Sequence, residues 1–306
     1  MGYKRAGFEV LGNVEIDPKM NAIYKANNHP KYNYNMDLRQ FNQIPNDELP
    51  QELFNLDILD GSPPCSTFSM AGKREKGWGV EKQFREGQKK QTLDDLFFVF
   101  LDTVKKLQPK IFVAENVSGI IRGNAKVYCK KIIEQAKEIG YDVQVFSLNS
   151  ANMDCPQARE RVFFIGNRCG LPKLKMKFNR PLITFGEVRS KNGIELKDGV
   201  CKTCLSKMKK SDRSIADINK RDGKNSGYTI AIVHDYLVCN TIKSTSIIIR
   251  GADKKKFSDS DFINVQTFPQ DYNFGGQSVQ YVCGMSVPPN MMAHIATAIW
   301  EQWLKK

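Results

Sequence analysis

Residues 110–116 read KIFVAEN, an apolar run of strand length that closes on an acid and an amide. Its neighbours decide what kind of strand it is. Upstream, Thr92–Leu107 repeats apolar residues at helical spacing (Leu93, Leu96, Phe97, Phe100, Leu101, Val104), and before it LDILDG (56–61) is a second apolar strand running into a loop. Downstream, KVYCKKIIEQAKEIG (126–140) reads as an amphipathic helix stopped by Gly140, followed by the strands VQVFSL (143–148) and RVFFIGN (161–167). Near the start, FEVLGNVEI (8–16) is strand-like and Pro18–Asn27 is periodic as a helix. Strands so continuously apolar need cover on both faces. Their alternation with helices predicts an α/β fold with a mostly parallel, doubly wound sheet.

Beyond about Pro172 the pattern changes. Helical periodicity fades, and short β-prone pieces appear: TIAIV (229–233), YLVCNTI (236–242) and TSIII (245–249). Charge shifts in the same place, since residues 173–256 hold 20 Lys/Arg against 8 Asp/Glu and so carry +12 of the chain's formal +13. Gathered charge of one sign points to a polyanion, nucleic acid first; a merely soluble basic surface is the plainer alternative. Helical spacing returns at Asp259–Phe268 and in MMAHIATAIWEQWL (291–304), where Ile295, Ala298, Ile299, Trp300 and Trp303 form a packing stripe after Pro288 and Pro289. These shifts divide the 306 residues into 1–172, a smaller basic β-rich domain at 173–256, and a segment at 257–306 that returns to the first domain. No apolar run approaches the roughly 20 residues that a bilayer requires. The opening MGYKRAGFEV has no apolar signal segment, and eight cysteines fall without a disulfide frame, so a reducing cytoplasm is expected.

Open α/β sheets bind ligands in loops at strand ends, and three polar features sit there. Gly61-Ser62-Pro63-Pro64-Cys65 follows LDILD, Glu115-Asn116-Val117 follows KIFVA, and Gln157-Ala158-Arg159-Glu160-Arg161 leads into RVFFIG. A cysteine behind two prolines is rigid and partly exposed, the setting of a nucleophile. Taken singly, each feature has an ordinary reading: Cys65 as a buried thiol, Glu115 as a cap carboxylate, Arg159 and Arg161 as part of a surface ion-pair net.

In order and spacing, GSPPCSTFSMAGKR, AENV, QARERVFFIG, TFPQDYNFGG and VCGMSVPPNMMAHIATAI resemble the motif set of the C5-cytosine DNA methyltransferases over almost the whole chain. The resemblance implies a Rossmann-like S-adenosylmethionine-dependent methyltransferase fold, double-stranded DNA as partner, and residues 173–256 as the target-recognition domain. It implies Cys65 as the thiolate that adds to C6 of a flipped cytosine, and Glu115 as the acid at N3 and the exocyclic amine. Arg159 and Arg161 become the pair that orients the cysteine and the base O2. For S-adenosylmethionine it implies Glu15 on the ribose hydroxyls, Ile16 against adenine, and Asp37 on the adenine amine with Leu38 beside it. Pro64 falls at the methionine end, and Ser286 and Val287 complete the cofactor residues. The chemistry fits independently: C5 of cytosine is a poor nucleophile until addition at C6 gives it enamine character, and the base must leave the helix to be reached. The stretch Ser66–Gln91, with Gly72, Gly77, Gly79 and Gly87 and seven Lys/Arg against three Glu, suits the lid that closes over the base in this family.

The sequence also departs from the pattern. The family's opening strand, central in its sheet, and its Phe-x-Gly-x-Gly-Gly loop are not present; Met1-Gly2-Tyr3 reads as part of the helix that follows. The chain as written is therefore expected to fold poorly and bind S-adenosylmethionine weakly. Met285 stands where the family carries Asn, filling the space without a hydrogen-bond donor. Cys201, Cys204, His234 and Cys239 have a spacing that a tetrahedral zinc site uses, although unpaired thiols are the plainer reading and no metal is expected. Three functions are weighed. The first is a sequence-specific DNA (cytosine-5) methyltransferase, a monomer in a restriction–modification setting beside a separate endonuclease. The second is an RNA cytosine-C5 methyltransferase, and the third a catalytically silent DNA-binding remnant.

Overall fold

Along the chain, the first half contains α1 (Gly2–Arg5), β1 (Gly12–Val14), α2 (Pro18–Asn28), β2 (Tyr32–Tyr34), α3 (Leu38–Gln43), β3 (Ile58–Gly61), α4 (Leu96–Leu107) and β4 (Ile111–Val117). It continues with α5 (Ala125–Glu138), β5 (Asp142–Asn149), β6 (Gln157–Ala158) and β7 (Glu160–Asn167). Then come α6 (Phe185–Val188), α7 (Val200–Ser206), α8 (Ile215–Arg221), β8 (Ala231–Val233), β9 (Cys239–Asn240), β10 (Ile248–Arg250), α9 (Asp259–Gln266), α10 (Val279–Met285) and α11 (Pro289–Ile299). This computed structural model describes residues 1–63, 95–123, 125–197, 199–224, 230–245 and 247–305; Pro64, Cys65 and the stretch Ser66–Gln91 lie outside the described residues. Two units result, one of residues 9–148, 160–176 and 297–306, the other of residues 1–8, 149–159 and 177–296. Among the described residues no helix is long and apolar enough to cross a membrane.

In the first unit, four strands run in the order β3-β4-β7-β5, with β3 parallel and β7 antiparallel to β4. The continuous apolar run of β4 is covered on both faces: Ile111, Phe112, Val113 and Ala114 are all 0% exposed. Phe112 and Ala114 pack with Phe97, Leu101 and Val104 of α4 and with Ile132 and Ala136 of α5. Behind α5, the Tyr141 hydroxyl donates to Pro109 O at 2.6 Å, and burial pushes the phenol up to about 12.

Two glycines are required by this packing. Gly61, at the end of β3, lies under the Phe100 ring, and Gly166 lies opposite Phe112 across the β4–β7 pair; a Cβ at either position would overlap the aromatic ring. Gly166→Ala is expected to destabilise the fold by about 1–3 kcal/mol, the usual cost of overpacking. Denaturant unfolding checks this, and Phe112→Leu should cost less in the Gly166→Ala background than alone. Simple additivity of the two costs would remove the contact from the explanation.

The remaining two strands of this unit, β1 and β2, form a separate parallel pair. Among the described residues β1 is bonded only to β2, and β3 only to β4. Leu11 and Val14 nevertheless share one apolar cluster with Leu59 of β3, Phe41 of α3 and Leu107 of α4. The extended stretch expected over 8–16 narrows to three strand residues, the length that its pairing with β2 supports. Asp17 caps α2 through the amides of Lys19 and Met20, with Pro18 at the first helical position.

In the second unit, α1 approaches α11 so closely that a Cβ on Gly2 would collide with Met292. Residues within 173–256 build a small core from Leu205, Ile215, Ile218, Ile232 and Ile249, in which β8 and β10 pair in parallel. Phe185 stacks on Phe257 at 4.7 Å. Arg250 and Asp261, both 0% exposed, meet at 3.3 Å, and Arg250 also reaches Asp253 at 2.7 Å. The stripe expected along the last helix is corrected in one respect. Met291, Met292, Ile295, Ala296 and Ile299 are buried, whereas Trp300 is 45% exposed. One residue past Ile299 is a turn of about 100°, which carries Trp300 off the stripe.

Candidate active site

β4 delivers Glu115 and β7 delivers Arg161. The antiparallel register sets Glu115 opposite Phe163 and Val117 opposite Arg161, so Glu115 and Arg161 are diagonal neighbours on one face of the sheet. Arg161 Nε lies 2.8 Å from Glu115 Oε1, and both side chains are 15% exposed. Burial draws the Arg161 guanidinium below its ordinary value, and the carboxylate beside it opposes that shift. An arginine so placed holds a carboxyl plane in one orientation and leaves the group polarised in a poorly solvated site. Arg161 Nη1 also donates to Glu160 O at 2.7 Å, and the Glu160 carboxylate takes Ser147 Oγ at 2.8 Å and Arg122 at 3.2 Å.

Asn116, to which the motif alone assigns no role, acquires one here. It is 4% exposed; its Nδ2 donates to Pro63 O at 3.2 Å and its Oδ1 accepts from Val117 N at 2.9 Å. Pro63 is the last described residue before Pro64 and Cys65. The amide therefore ties the end of β4 to Pro63, two residues before Cys65 in the sequence. Its position next to Glu115 was the available signal.

At the end of β1, the Glu15 amide bonds Tyr34 O at 3.0 Å while its Oε1 accepts from Asp17 N at 2.8 Å. Burial pushes this carboxyl above the ordinary range, against the lowering effect of the Asp17 amide. Ile16 beside it is 36% exposed. Asn35 Nδ2 reaches Glu15 O at 2.7 Å and holds the strand end in place. Asp37 caps α3, taking Arg39 N at 2.8 Å on Oδ1, with the Arg39 guanidinium at 3.4 Å from Oδ2. Leu38 packs into the apolar clusters of the same unit. A half-buried carboxylate that can accept from a ribose diol, beside an exposed aliphatic face that can meet an adenine ring, suits a nucleoside.

The other candidates belong to the second unit. Arg159 is 2% exposed, and its guanidinium donates to Ile242 O at 3.0 Å and Gly284 O at 2.8 Å. Its own amide is held by Ser150 Oγ at 3.1 Å. Ser286 Oγ donates to Val282 O at 2.6 Å, and Ser286 O accepts from Gln266 Nε2 at 2.8 Å. Val287 is half-buried. Met285, expected to fill space, is instead 54% exposed at the end of α10.

Cys201, Cys204, His234 and Cys239 do not converge, and among the described residues no three His, Cys, Asp or Glu side chains are grouped to hold a metal ion. Cys204 Sγ lies 3.5 Å from Asn219 Oδ1, and His234 Nε2 is 2.8 Å from Asp212 O with its ring stacked on Tyr236. Cys239 Sγ faces Asn240 O at 3.3 Å, and burial pushes that thiol up. Each thiol is spent on local packing.

Residues 1–301 match the family model of C-5 cytosine-specific DNA methylases. The type II methyltransferase M1.HphI of Haemophilus parahaemolyticus is 35% identical over 172 residues, 56% of this chain and 43% of that one. M.NgoPII of Neisseria gonorrhoeae, also a type II methyltransferase, is 34% identical over 199 residues, 65% of this chain and 51% of its own. The chain thus spans about half the length of these curated relatives. In three dimensions a prophage-encoded E. coli protein superposes with a TM-score of 0.71 at 17% identity, covering 99% of this chain and 95% of the other. The α/β Rossmann-like fold of this methyltransferase class is therefore shared.

Proposed function

The chain belongs to the C-5 cytosine-specific DNA methylase family, and from that premise we propose that it methylates C5 of a cytosine flipped out of duplex DNA, with S-adenosylmethionine as methyl donor. The observation that carries this reading is the Glu115–Arg161 pair at 2.8 Å, at the carboxyl end of an inner strand. Arg161 fixes the plane of the Glu115 carboxyl, which in its protonated form donates to N3 of the base and accepts from the exocyclic amine. Proton donation at N3 makes C6 electrophilic, and the Cys65 thiolate adds there through the loop that Asn116 tethers at Pro63. The density released to C5 would then take up the methyl that bound S-adenosylmethionine supplies, the sulfonium C–S bond breaking to leave a neutral thioether. Loss of the C5 proton and expulsion of the thiolate restore the aromatic base. Arg159 takes the orienting role that its motif implies.

Glu15, Ile16, Asp37 and Leu38 would hold the nucleoside part of S-adenosylmethionine, with Pro64, Ser286 and Val287 as the remaining contacts. Bound there, the cofactor supplies an electrophilic methyl on a sulfonium sulfur. Glu15 would accept the ribose hydroxyls, and Ile16 would offer the adenine an apolar face. Target recognition falls to residues 173–256, whose charge of +12 suits phosphate contacts. The reading includes a monomer acting beside a separate endonuclease, and the seven free cysteines among the described residues suit a reducing cytoplasm.

The test is transfer of labelled methyl from saturating S-adenosylmethionine to duplex DNA, with matched RNA in a parallel assay. Label is expected at cytosine C5 of DNA, and Glu115→Gln should reduce the rate by roughly 10²–10⁴-fold, the range of a lost general acid. Label in RNA alone would overturn the substrate. Label in neither would overturn the enzyme reading in favour of a DNA-binding remnant.

A further inference from the structure

Within the second unit, the segment Asn149–Arg159 turns sharply at Asp154, whose φ of 53° is left-handed. A non-glycine residue in that region is uncommon, though Asp tolerates it better than most. Such a conformation persists when its surroundings over-determine it. The surroundings here are specific. Asp154 Oδ2 lies 2.8 Å from His294 Nε2, and Arg180 Nε lies 3.0 and 2.9 Å from the two carboxylate oxygens. The backbone joins in: Asp154 O accepts from Asn290 Nδ2 at 2.8 Å, and Asn152 O accepts from Arg180 N at 3.2 Å. Phe178 abuts the His294 ring at 5.7 Å, which limits where the imidazole can sit. Burial alone would raise the Asp154 carboxyl, but the bonds from His294 and Arg180 hold it below the ordinary range.

Five residues further on, the same segment is fastened again. Arg159 Nη2 donates to Gly284 O of α10, and the Arg159 and Ser150 backbones bond each other's side of the loop, Ser150 N to Arg159 O at 3.0 Å and Arg159 N to Ser150 Oγ. Between the two fastenings, Cys155 is 0% exposed and Pro156 O accepts from Cys239 N at 3.1 Å, so little slack remains. A change in direction at Asp154 therefore has to appear at Arg159.

We propose that Asp154 is a positioning residue, its carboxylate clamped by His294 and Arg180 so that the left-handed turn fixes where Arg159 presents its guanidinium. The effect on catalysis rests on the methyltransferase reading; the effect on the segment does not. The carboxylate contributes more than a tolerance for positive φ, and two replacements separate those roles. Glycine accepts the turn but removes the clamp, whereas asparagine accepts the turn and keeps a hydrogen-bonding side chain.

Asp154→Gly is expected to lower kcat roughly 10- to 100-fold, the scale of a misplaced site group, with KM for DNA within about 2-fold because no DNA-contacting charge is lost. Asp154→Asn should recover part of that loss, and His294→Gln should do better than His294→Ala. Amide hydrogen exchange supplies a readout independent of methyl transfer: the Arg159 and Ser150 amides should exchange at least about 10-fold faster in Asp154→Gly. Wild-type kcat together with unchanged exchange in Asp154→Gly would overturn the proposal. If wild type transfers no methyl, exchange alone decides, and unchanged protection again overturns it. Should Asp154→Gly fail to fold, the His294→Ala and His294→Gln pair carries the same two readouts. Equal behaviour of those two variants would sink the clamp.

Discussion

Cys65→Ala is expected to abolish methyl transfer while leaving DNA affinity within a few-fold of wild type. In the proposed chemistry the thiolate acts in one covalent step, and nothing else there raises electron density at C5. Removal of a covalent nucleophile typically costs several orders of magnitude in turnover, whereas phosphate contacts made elsewhere are untouched. DNA carrying 5-fluorocytosine gives the direct readout. Fluorine at C5 cannot leave as the proton does, so the adduct formed after methyl transfer cannot collapse. A complex stable to denaturant should accumulate with the wild-type chain and be absent with Cys65→Ala. Methylation by the alanine variant at the wild-type rate would end the covalent mechanism. Glu115→Gln should also trap poorly, since the same addition needs the proton at N3.

Supplying an apolar strand able to bond both β1 and β3 is expected to raise both stability and S-adenosylmethionine affinity. The reason lies in the first unit, where β1–β2 and β3-β4-β7-β5 are separate sheets among the described residues yet share one apolar cluster. Strand residues 12–14 are only half-buried, in contrast to the 0% exposure along Ile111–Ala114. A strand bonded to both β1 and β3 would add backbone hydrogen bonds worth a net of about 0.5–1.5 kcal/mol each. Several of them amount to a sizeable fraction of the net stability of a domain, about 5–15 kcal/mol. Thermal unfolding should shift upward by at least about 5 °C. Calorimetric titration should show tighter cofactor binding, because Glu15 would then grip a ligand supported at its other end. Equally tight binding by the 306-residue chain without the addition would refute the idea.

Strand β4 and helices α4 and α5 are legible in the sequence because their burial is continuous or regularly spaced, and the pattern needs no partner to be read. Helix α10 is not: SVQYVCGM mixes polar, small and apolar residues without a stripe, and its helical state depends on a Ser278 cap and on packing of Val282 and Cys283. Glu115 and Arg161 are each visible as motif residues, but their 2.8 Å contact depends on the antiparallel register of β4 and β7, which is a tertiary fact. The sequence paired Arg161 with Arg159 instead. The zinc reading of Cys201, Cys204, His234 and Cys239 failed to assemble for the same reason, since linear spacing says nothing about which way β9 turns its cysteine. Asp154 is the hardest case. Its neighbours Arg180 and His294 are far away along the chain, and no local pattern announces a left-handed aspartate.

The contact between Gly61 and Phe100 has a consequence for how such a molecule can change over generations. The residue at which the chain leaves β3 toward Cys65 rests directly on an aromatic ring of the interior. Under the proposed mechanism, a substitution that refills the space around Phe100 would move the residue from which the chain sets out toward Cys65, so a change in the interior would be felt in the reaction although the altered side chain touches no substrate. Drift in the interior and adaptation of the reaction would then not be separate processes.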